Sequence, residues 1–331
     1  MALLFKELTV QGVTLQNRVV LPPLATEKST SEGLVTEELL SHYRSFAQAG
    51  VGLIIVEHAY ITKQGQASKR QLSVESDETV TGLSQLAAAI KAQGCIAVAQ
   101  INHAGSAADN QVTGMEVVGP SAISHPRNTE VVPQELTVNE IAGIVEAFAA
   151  AAKRVQEAGF DGVEIHGAHG YLLNQFLSPV TNWRQDAYGG SRERRMLLAM
   201  EVTEAVRAAV GPDFLLLYRL GAADLLPEGL TLTDAKALAP RLQVIGVDIF
   251  DISGGIAGSR PAVYQGKEAY FAPFAAGIKQ VVSQPVLVTG GIIQAKVAEE
   301  LLQQGKVDLI GVGRQLLKNP QWVGEAVTIL R

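Results

Sequence analysis

His166 and His169 are separated only by Gly167 and Ala168, in the run His166-Gly-Ala-His169-Gly-Tyr171. The small residues between them let both rings face one cavity. A lone histidine at a strand end is more often a hydrogen-bonded structural residue than a catalyst. Two on so short a segment are harder to read that way, because paired N–H donors can hold one oxygen and stabilise charge on it. A second group is glycine-rich: Thr289-Gly290-Gly291 and Gly311-Val312-Gly313-Arg314. Glycines let backbone N–H groups approach a phosphate closely, and a following helix N-terminus favours its charge. Arg314 adds a cation able to bind two oxygens at once. Arg219 closes the apolar run Phe214-Leu-Leu-Leu-Tyr-Arg219. A charge there requires a partner, either a carboxylate such as Asp224 or an electron-rich ligand atom. Gln100 is similarly polar inside an apolar run, and His58 and His103 follow two further runs.

These residues need a scaffold that brings distant segments to one place. Eight short apolar runs stand out, at Arg18–Leu21, Val51–Val56, Ile96–Ile101, Gly162–Ile165, Phe214–Tyr218, Val247–Ile252, Pro285–Val288 and Val307–Val312. Most are continuously apolar, as parallel strands covered on both faces are. Helical patterns lie between them, clearest from Thr137 to Gly159, where Ile141, Ile144, Val145, Phe148, Ala152 and Val155 share a face. Thr137 and Glu140 read as its capping box. Further helices are expected near Glu37–Ala49, Val80–Gln93, Arg192–Val210, Thr233–Val244, Glu268–Val282, Lys296–Gln304 and Gln321–Leu330. Strand–helix alternation repeated eight times predicts an α/β fold, a (β/α)₈ TIM barrel, with residues 1–331 as one domain. The longest connection, about Asn102 to Leu136, follows strand three and is expected to help build the site. Every candidate above then falls at the carboxyl end of a strand, where such barrels keep their chemistry.

Composition excludes several classes. With 27 Lys and Arg against 33 Asp and Glu, the net charge is −6, and 18% of residues are charged. Such a chain is a poor nucleic-acid binder, since neutralising phosphates takes clustered cations. At 47% hydrophobic residues it buries a large core. No apolar run reaches the roughly 20 residues that span a bilayer, and the run after Met1 turns charged at Lys6, which predicts no secretory leader. A single cysteine, Cys95, makes no internal disulfide and no cysteine-ligated cluster, and is expected to be a buried small residue. A cytoplasmic protein is the expectation.

The run His166-Gly-Ala-His-Gly-Tyr-Leu-Leu-Asn-Gln-Phe-Leu-Ser-Pro179, with Asn182-Trp-Arg-Gln-Asp-Ala-Tyr-Gly-Gly-Ser191, resembles the signature of the Old Yellow Enzyme family of FMN-dependent ene-reductases. Asn17-Arg-Val-Val-Leu-Pro-Pro23, Gly52-Leu-Ile-Ile-Val-Glu57, Ala99-Gln-Ile-Asn-His-Ala-Gly105 and Gly313-Arg314 are similar to its first, second, third and eighth strands. The resemblance runs essentially end to end. It implies FMN at the barrel mouth and NADH or NADPH as reductant. Pro22, Pro23, Leu24 and Ala25 would line the flavin through their backbone, Gln100 would bond its pyrimidine ring, and Arg219 would sit beside N1 and the C2 carbonyl. Gly290, Gly291, Gly313 and Arg314 would hold the phosphate, and His58 would lie near the ring. His166 and His169 would bind the carbonyl oxygen of an enone or enal, and Tyr171 would donate the proton. No role follows for His103. A homo-oligomer is compatible with the family, with no interface located.

Two departures from the family pattern stand out. Ala25 occupies a position where many relatives carry Cys or Thr, whose side chain tunes the flavin near its C4 carbonyl; an alignment shifted by one would give that place to Thr26. Glu27 falls where many have an aromatic pocket residue. Rival readings remain: an amine or N-methyl oxidising flavoenzyme of the same fold; a metal-dependent hydrolase using His58, His103, His166 and His169; a phosphate-sugar isomerase or aldolase; and a binding barrel without chemistry. Zinc would want a carboxylate in its shell, and no lysine ends an inner strand as a Schiff-base aldolase needs. Trp183 is expected to pack in the loop after strand four.

Overall fold

The computed structural model describes residues Ala2 to Arg331. Eight parallel strands close into a barrel: Val19–Leu21, Leu53–Tyr60, Ile96–Asn102, Gly162–Gly167, Leu215–Gly221, Ile249–Ser253, Val286–Thr289 and Leu309–Gly311. Each pairs with its sequence neighbours and the eighth closes on the first. All eight expected strands are present. Several run further toward their carboxyl ends than their apolar stretches do, strand two to Tyr60 and strand five to Gly221. The reason is that the mouth is lined by polar side chains on continuing strand.

Alternation along each strand divides inside from outside. Val20, Leu53, Ile55, Val98, Leu215, Leu217, Ile249, Leu287 and Leu309 point inward and form the buried centre of the barrel. An N-terminal hairpin, Leu8–Val10 with Val13–Leu15, plugs its lower end with Leu8, Val10, Val13 and Leu15. Its turn, Gln11-Gly12, has both residues at positive φ (49° and 75°), the two-residue geometry that suits hairpin twist. This hairpin was not legible as apolar runs, being only three residues a side. The outward-facing residues pack against the surrounding helices in a second, larger core.

The helices follow the expected pattern, with local corrections. Arg192–Val210 divides at Met196 into Arg192–Arg195 and Leu197–Val210. Glu268–Val282 shortens to Ala272–Lys279, with proline in its first turn. Short helices at Leu172–Leu177 and Arg314–Lys318 complete the loops after strands four and eight. The connection after strand three holds a short helix, Asn110–Thr113, and two-residue strands at Val118–Gly119 and Gln134–Glu135. Trp183 does not pack: it is 66% exposed, its indole N–H donating to the Pro179 carbonyl. Cys95 is buried, as expected. Among the described residues no helix is long and apolar enough to cross a membrane.

Thr137 and Glu140 form the capping box of helix Val138–Glu157: the Thr137 hydroxyl accepts from the Glu140 N–H, and the Glu140 carboxylate accepts from the Thr137 N–H at 2.7 Å. Thr137→Ala is expected to cost about 1 kcal/mol, visible as a fall of a few degrees in Tm; an unchanged melting curve would show that the helix is held by packing alone.

Candidate active site

A cavity of about 830 Å³ opens at the carboxyl ends of the strands. Pro22, Pro23, Leu24, Ala25, His58, Gln100, His166, His169, Tyr171, Arg219, Gly290, Gly291, Gly313 and Arg314 all line it. His103 does not. It is turned outward, buried behind Gly65 and lining a smaller cavity of about 250 Å³ beside the helix Val138–Glu157. The four-imidazole ligand set of the hydrolase reading is therefore not assembled.

The floor is a buried polar layer laid directly on the apolar centre. Alternation continues from Leu215 and Leu217 to Arg219, from Ile249 to Asp251 and Ser253, and from Val98 to Gln100. Arg219 is 3% exposed and its Nε lies 3.2 Å from Asp251 Oδ2, on the neighbouring strand. Of the carboxylates, the partner is thus Asp251 and not Asp224. Asp224 instead accepts from Ser178 Oγ and from the N–H groups of Leu230 and Ile256, and never meets the arginine. Glu164 is fully buried near the pair, and burial followed by repulsion from Asp251 raises its pKa well above the carboxylate range. Its Oε1 accepts from Gln100 Nε2 at 2.7 Å, which leaves the Gln100 carbonyl oxygen as the acceptor for a ligand.

Three imidazoles and one phenol form the wall. The His166 ring centroid lies 5.0 Å from that of His169, 4.9 Å from that of Tyr171 and 6.4 Å from that of His58. Burial lowers all three histidines, His58 to about 4, and the Arg219 charge lowers each further. They are neutral donors at pH 7. The Ala168 N–H donates to His166 Nδ1 (3.2 Å), so the proton sits on Nε2. His58 Nδ1 lies 2.7 Å from Gln71 Nε2 and 3.3 Å from Asn102 Oδ1, which together hold that ring in place. His169 meets Ser253 Oγ through Nε2 at 2.7 Å, which leaves Nδ1 as its free nitrogen. A Ser253 hydroxyl donating to Nε2 selects the Nδ1–H form. Burial raises the Tyr171 pKa, so its hydroxyl keeps the proton.

The opposite end is built for an anion. The N–H groups of Gly290, Gly291 and Gly313 donate to no protein acceptor among the described residues. Gly290 and Gly291 are obligatory: a Cβ would sit 2.7 Å from the Phe271 ring at the first and 2.6 Å from the Tyr270 ring at the second, where φ is also 71°. Arg314 forms no ion pair with a carboxylate; its Nη2 reaches only Tyr270 Oη at 3.4 Å.

The segment after strand one distinguishes Ala25 from its neighbours. Ala25 lines the cavity, whereas Thr26 does not; the Thr26 hydroxyl accepts from the Lys28 N–H, and its own N–H donates to Glu57 Oε2 at 2.8 Å. Glu27 also stays off the cavity wall, in a left-handed backbone conformation (φ 55°). Glu57, Glu164, Asp251 and Ser253 were not singled out by sequence. The signal available was a polar residue at the inward parity of an apolar strand, already used for Gln100 and equally present in Glu164, Asp251 and Ser253.

Glu57 is 2% exposed and burial pushes its pKa up to about 7. The folded state thus binds this proton more tightly than the unfolded chain does. Stability from this group is full below the ordinary carboxylate pKa and declines as pH rises toward 7, by on the order of 3 kcal/mol. Glu57→Gln keeps an acceptor for the Thr26 N–H and should remove that decline, so Tm measured at pH 5 and pH 8 should converge. An equal pH slope in the variant would place the titration elsewhere.

The family model described as NADH:flavin oxidoreductase / NADH oxidase matches residues 3–329. The chain is 42% identical to the NADPH dehydrogenase of Geobacillus sp. (strain WCH70) over 97% of its length and 92% of that protein's. It is 38% identical to the NADH oxidase of Thermoanaerobacter brockii, over 98% of this chain but 50% of that one. The chain therefore spans about half of some relatives and nearly all of others. Among solved structures, it aligns with morphinone reductase in complex with tetrahydroNAD at TM-score 0.86 and 27% identity, covering 99% of this chain and 91% of that one. The homologue of old yellow enzyme from Zymomonas mobilis aligns with the same score and identity, covering 99% and 93%. With this barrel, this wall of histidines and matches over nearly its whole length, the chain belongs to the NADH:flavin oxidoreductase / NADH oxidase family, the family of Old Yellow Enzyme.

Proposed function

We propose that the protein is a cytoplasmic, FMN-dependent enzyme that reduces the activated C=C bond of α,β-unsaturated carbonyl compounds with NADH or NADPH. The observation that carries this reading is a wall of neutral donors, His166, His169 and Tyr171, facing a cavity whose floor and far end suit a flavin phosphate ester. The fit rests on chemistry already present. Gly290, Gly291 and Gly313 offer free N–H groups beside an unpaired Arg314 for the phosphate. Gln100 offers its carbonyl oxygen to a ring N–H, and Arg219 offers positive charge to the electron-rich edge of the ring. Pro22, Pro23, Leu24 and Ala25 would flank the ring, with His58 beside it.

The chemistry FMN supplies when bound is storage and delivery of a hydride. The protein supplies orientation and electrostatics. His166 Nε2–H and His169 Nδ1–H donate to the substrate carbonyl oxygen and stabilise the enolate-like charge that builds on it. Because burial and Arg219 keep both rings neutral, they bind an oxygen without protonating it. Tyr171 holds its proton for the α-carbon, with water as an alternative source. The amine-oxidising alternative is disfavoured by the lining: six Arg or Lys side chains and no Asp or Glu face the cavity, a poor setting for a cationic amine.

Two outcomes test this. FMN should bind far more tightly than riboflavin, and Arg314→Ala should weaken FMN binding by about 2 kcal/mol, measured by fluorescence quenching on titration; equal affinity for both flavins would refute the phosphate assignment. His166→Ala should slow flavin reoxidation by an enone about 10²–10³-fold while reduction by the nicotinamide changes less. Stopped-flow traces with unaltered reoxidation would mean that His166 is not the donor.

A further inference from the structure

The cavity carries six cations, Arg127, Arg219, Arg260, Lys267, Arg314 and Lys318, and no carboxylate, in a chain of net charge −6. Arg219 has Asp251, while Arg314 and Lys318 stand at the glycine cradle on strand eight and its helix. Lys267 lies over the Tyr264 ring, its Nζ 5.4 Å from the centroid. Arg127 is different. It comes from the long connection after strand three and stands at the histidine wall, away from the cradle.

Its position is built rather than incidental. His125 accepts from the Arg127 N–H through Nδ1 (3.1 Å) and donates from Nε2 to the Gly170 carbonyl (3.1 Å), pinning the loop tip to the strand-four motif. Burial and the Arg127 charge hold His125 near a pKa of 4, so this ring is neutral and the pin persists at pH 7. Gly170 must be glycine, since a Cβ would lie 2.5 Å from His125 Nε2. The Arg127 guanidinium then donates through Nη2 to the carbonyl of His169, and its Nη1 stands against Gly258 on the loop after strand six, where a Cβ would be 2.8 Å away. No carboxylate pairs with it among the described residues.

We propose that Arg127 is a specificity-determining residue that binds the carboxylate of a substrate whose activated carbonyl lies between His166 and His169. The inference rests on the ene-reductase reading and narrows its substrate class to unsaturated carbonyl compounds bearing a separate carboxylate. The guanidinium hangs on the backbone of His169 itself and lines the same cavity as both rings, which sets a bound carboxylate beside the residues that would hold the carbonyl. Four guanidinium N–H groups stay free, in an arrangement that matches a carboxylate. An anionic group could also come from the nicotinamide dinucleotide, and the test separates the two sources.

The substrate pair is 4-oxo-2-pentenoate and its methyl ester; esterification removes the charge and also activates the alkene, so the reading is the change in the acid-to-ester ratio from wild type to variant. In Arg127→Gln, which retains an N–H donor for the His169 carbonyl, the acid-to-ester ratio of kcat/KM should fall about 10- to 100-fold. Arg127→Lys should recover part of it. Calorimetric titration of the saturated analogue 4-oxopentanoate and its ester should show the same loss of preference for the acid, independent of turnover. An unchanged ratio in both measurements overturns the proposal, as does a loss confined to the rate of flavin reduction by the nicotinamide, which would assign Arg127 to the dinucleotide. A wild-type protein that binds both analogues but reduces neither enone would instead refute the ene-reductase reading.

Discussion

A guanidinium at the centre of an apolar barrel is tolerable only if the charge around it is arranged in full, and the mouth of this barrel is organised by that requirement. Arg219 follows Leu215 and Leu217 at the same inward parity, so strand geometry carries it onto the hydrocarbon layer. Asp251, opposite it in the sheet register, supplies the compensating charge. A second carboxylate, Glu164, is raised toward its neutral form by burial and by repulsion from Asp251, whose own pKa burial also raises. Glu164 lies on the strand between those of Gln100 and Arg219 and accepts from the Gln100 amide. Of this charged layer it is Arg219 that lines the cavity.

That cation conditions the wall. His58, His166 and His169 are each lowered first by burial, and Arg219 lowers all three further, at His166 after the neighbouring His169. A neutral imidazole has one donor and one acceptor nitrogen, so each ring's direction depends on what its second nitrogen meets. Ala168 N–H makes that choice for His166, while Gln71 and Asn102 meet Nδ1 of His58 and Ser253 meets Nε2 of His169. A shift in pairing register between Val56 and Ala59 matters here too. Without it, strand alternation from Leu53 and Ile55 would aim Glu57 into the mouth; with it, His58 faces the cavity and Glu57 turns to Thr26 and Tyr43.

The eight strands were legible because buried parallel strands are apolar on both faces, and polar residues at their carboxyl ends were legible as exceptions within those runs. That is why Gln100, Arg219, His166 and His169 could be named from sequence, with the family resemblance adding the segment from Pro22 to Ala25. Two kinds of information were absent. Partners across the sheet depend on register, so the sequence leaves the partner of Arg219 open between a carboxylate such as Asp224 and a ligand atom, whereas the sheet sets Asp251 beside it. Loop residues depend on tertiary docking: His103 ends its strand facing the wrong way, and Arg127 sits among polar loop residues with nothing to mark it. The choice between Ala25 and Thr26 likewise turned on backbone direction, which only the Thr26 N–H bond to Glu57 reveals.

The division of charge across the cavity has a chemical logic. Fixed cations face places where a ligand would carry permanent charge, the cradle with Arg314 and the histidine rim with Arg127. Neutral imidazoles face the one place where charge would be transient. A charged donor at that spot would bind a carbonyl and an enolate both strongly, and would compete with Arg127 for any anionic group. A neutral donor held rigidly gains most as the oxygen gains charge, so its stabilisation is concentrated in the transition state. Burial does most to keep those rings neutral, and Arg219 at both rings and Arg127 at His169 add to it, since a nearby positive charge disfavours a further proton. Arg127, which would hold a permanently charged ligand, is thus also one of the charges that keep His169 in its working form.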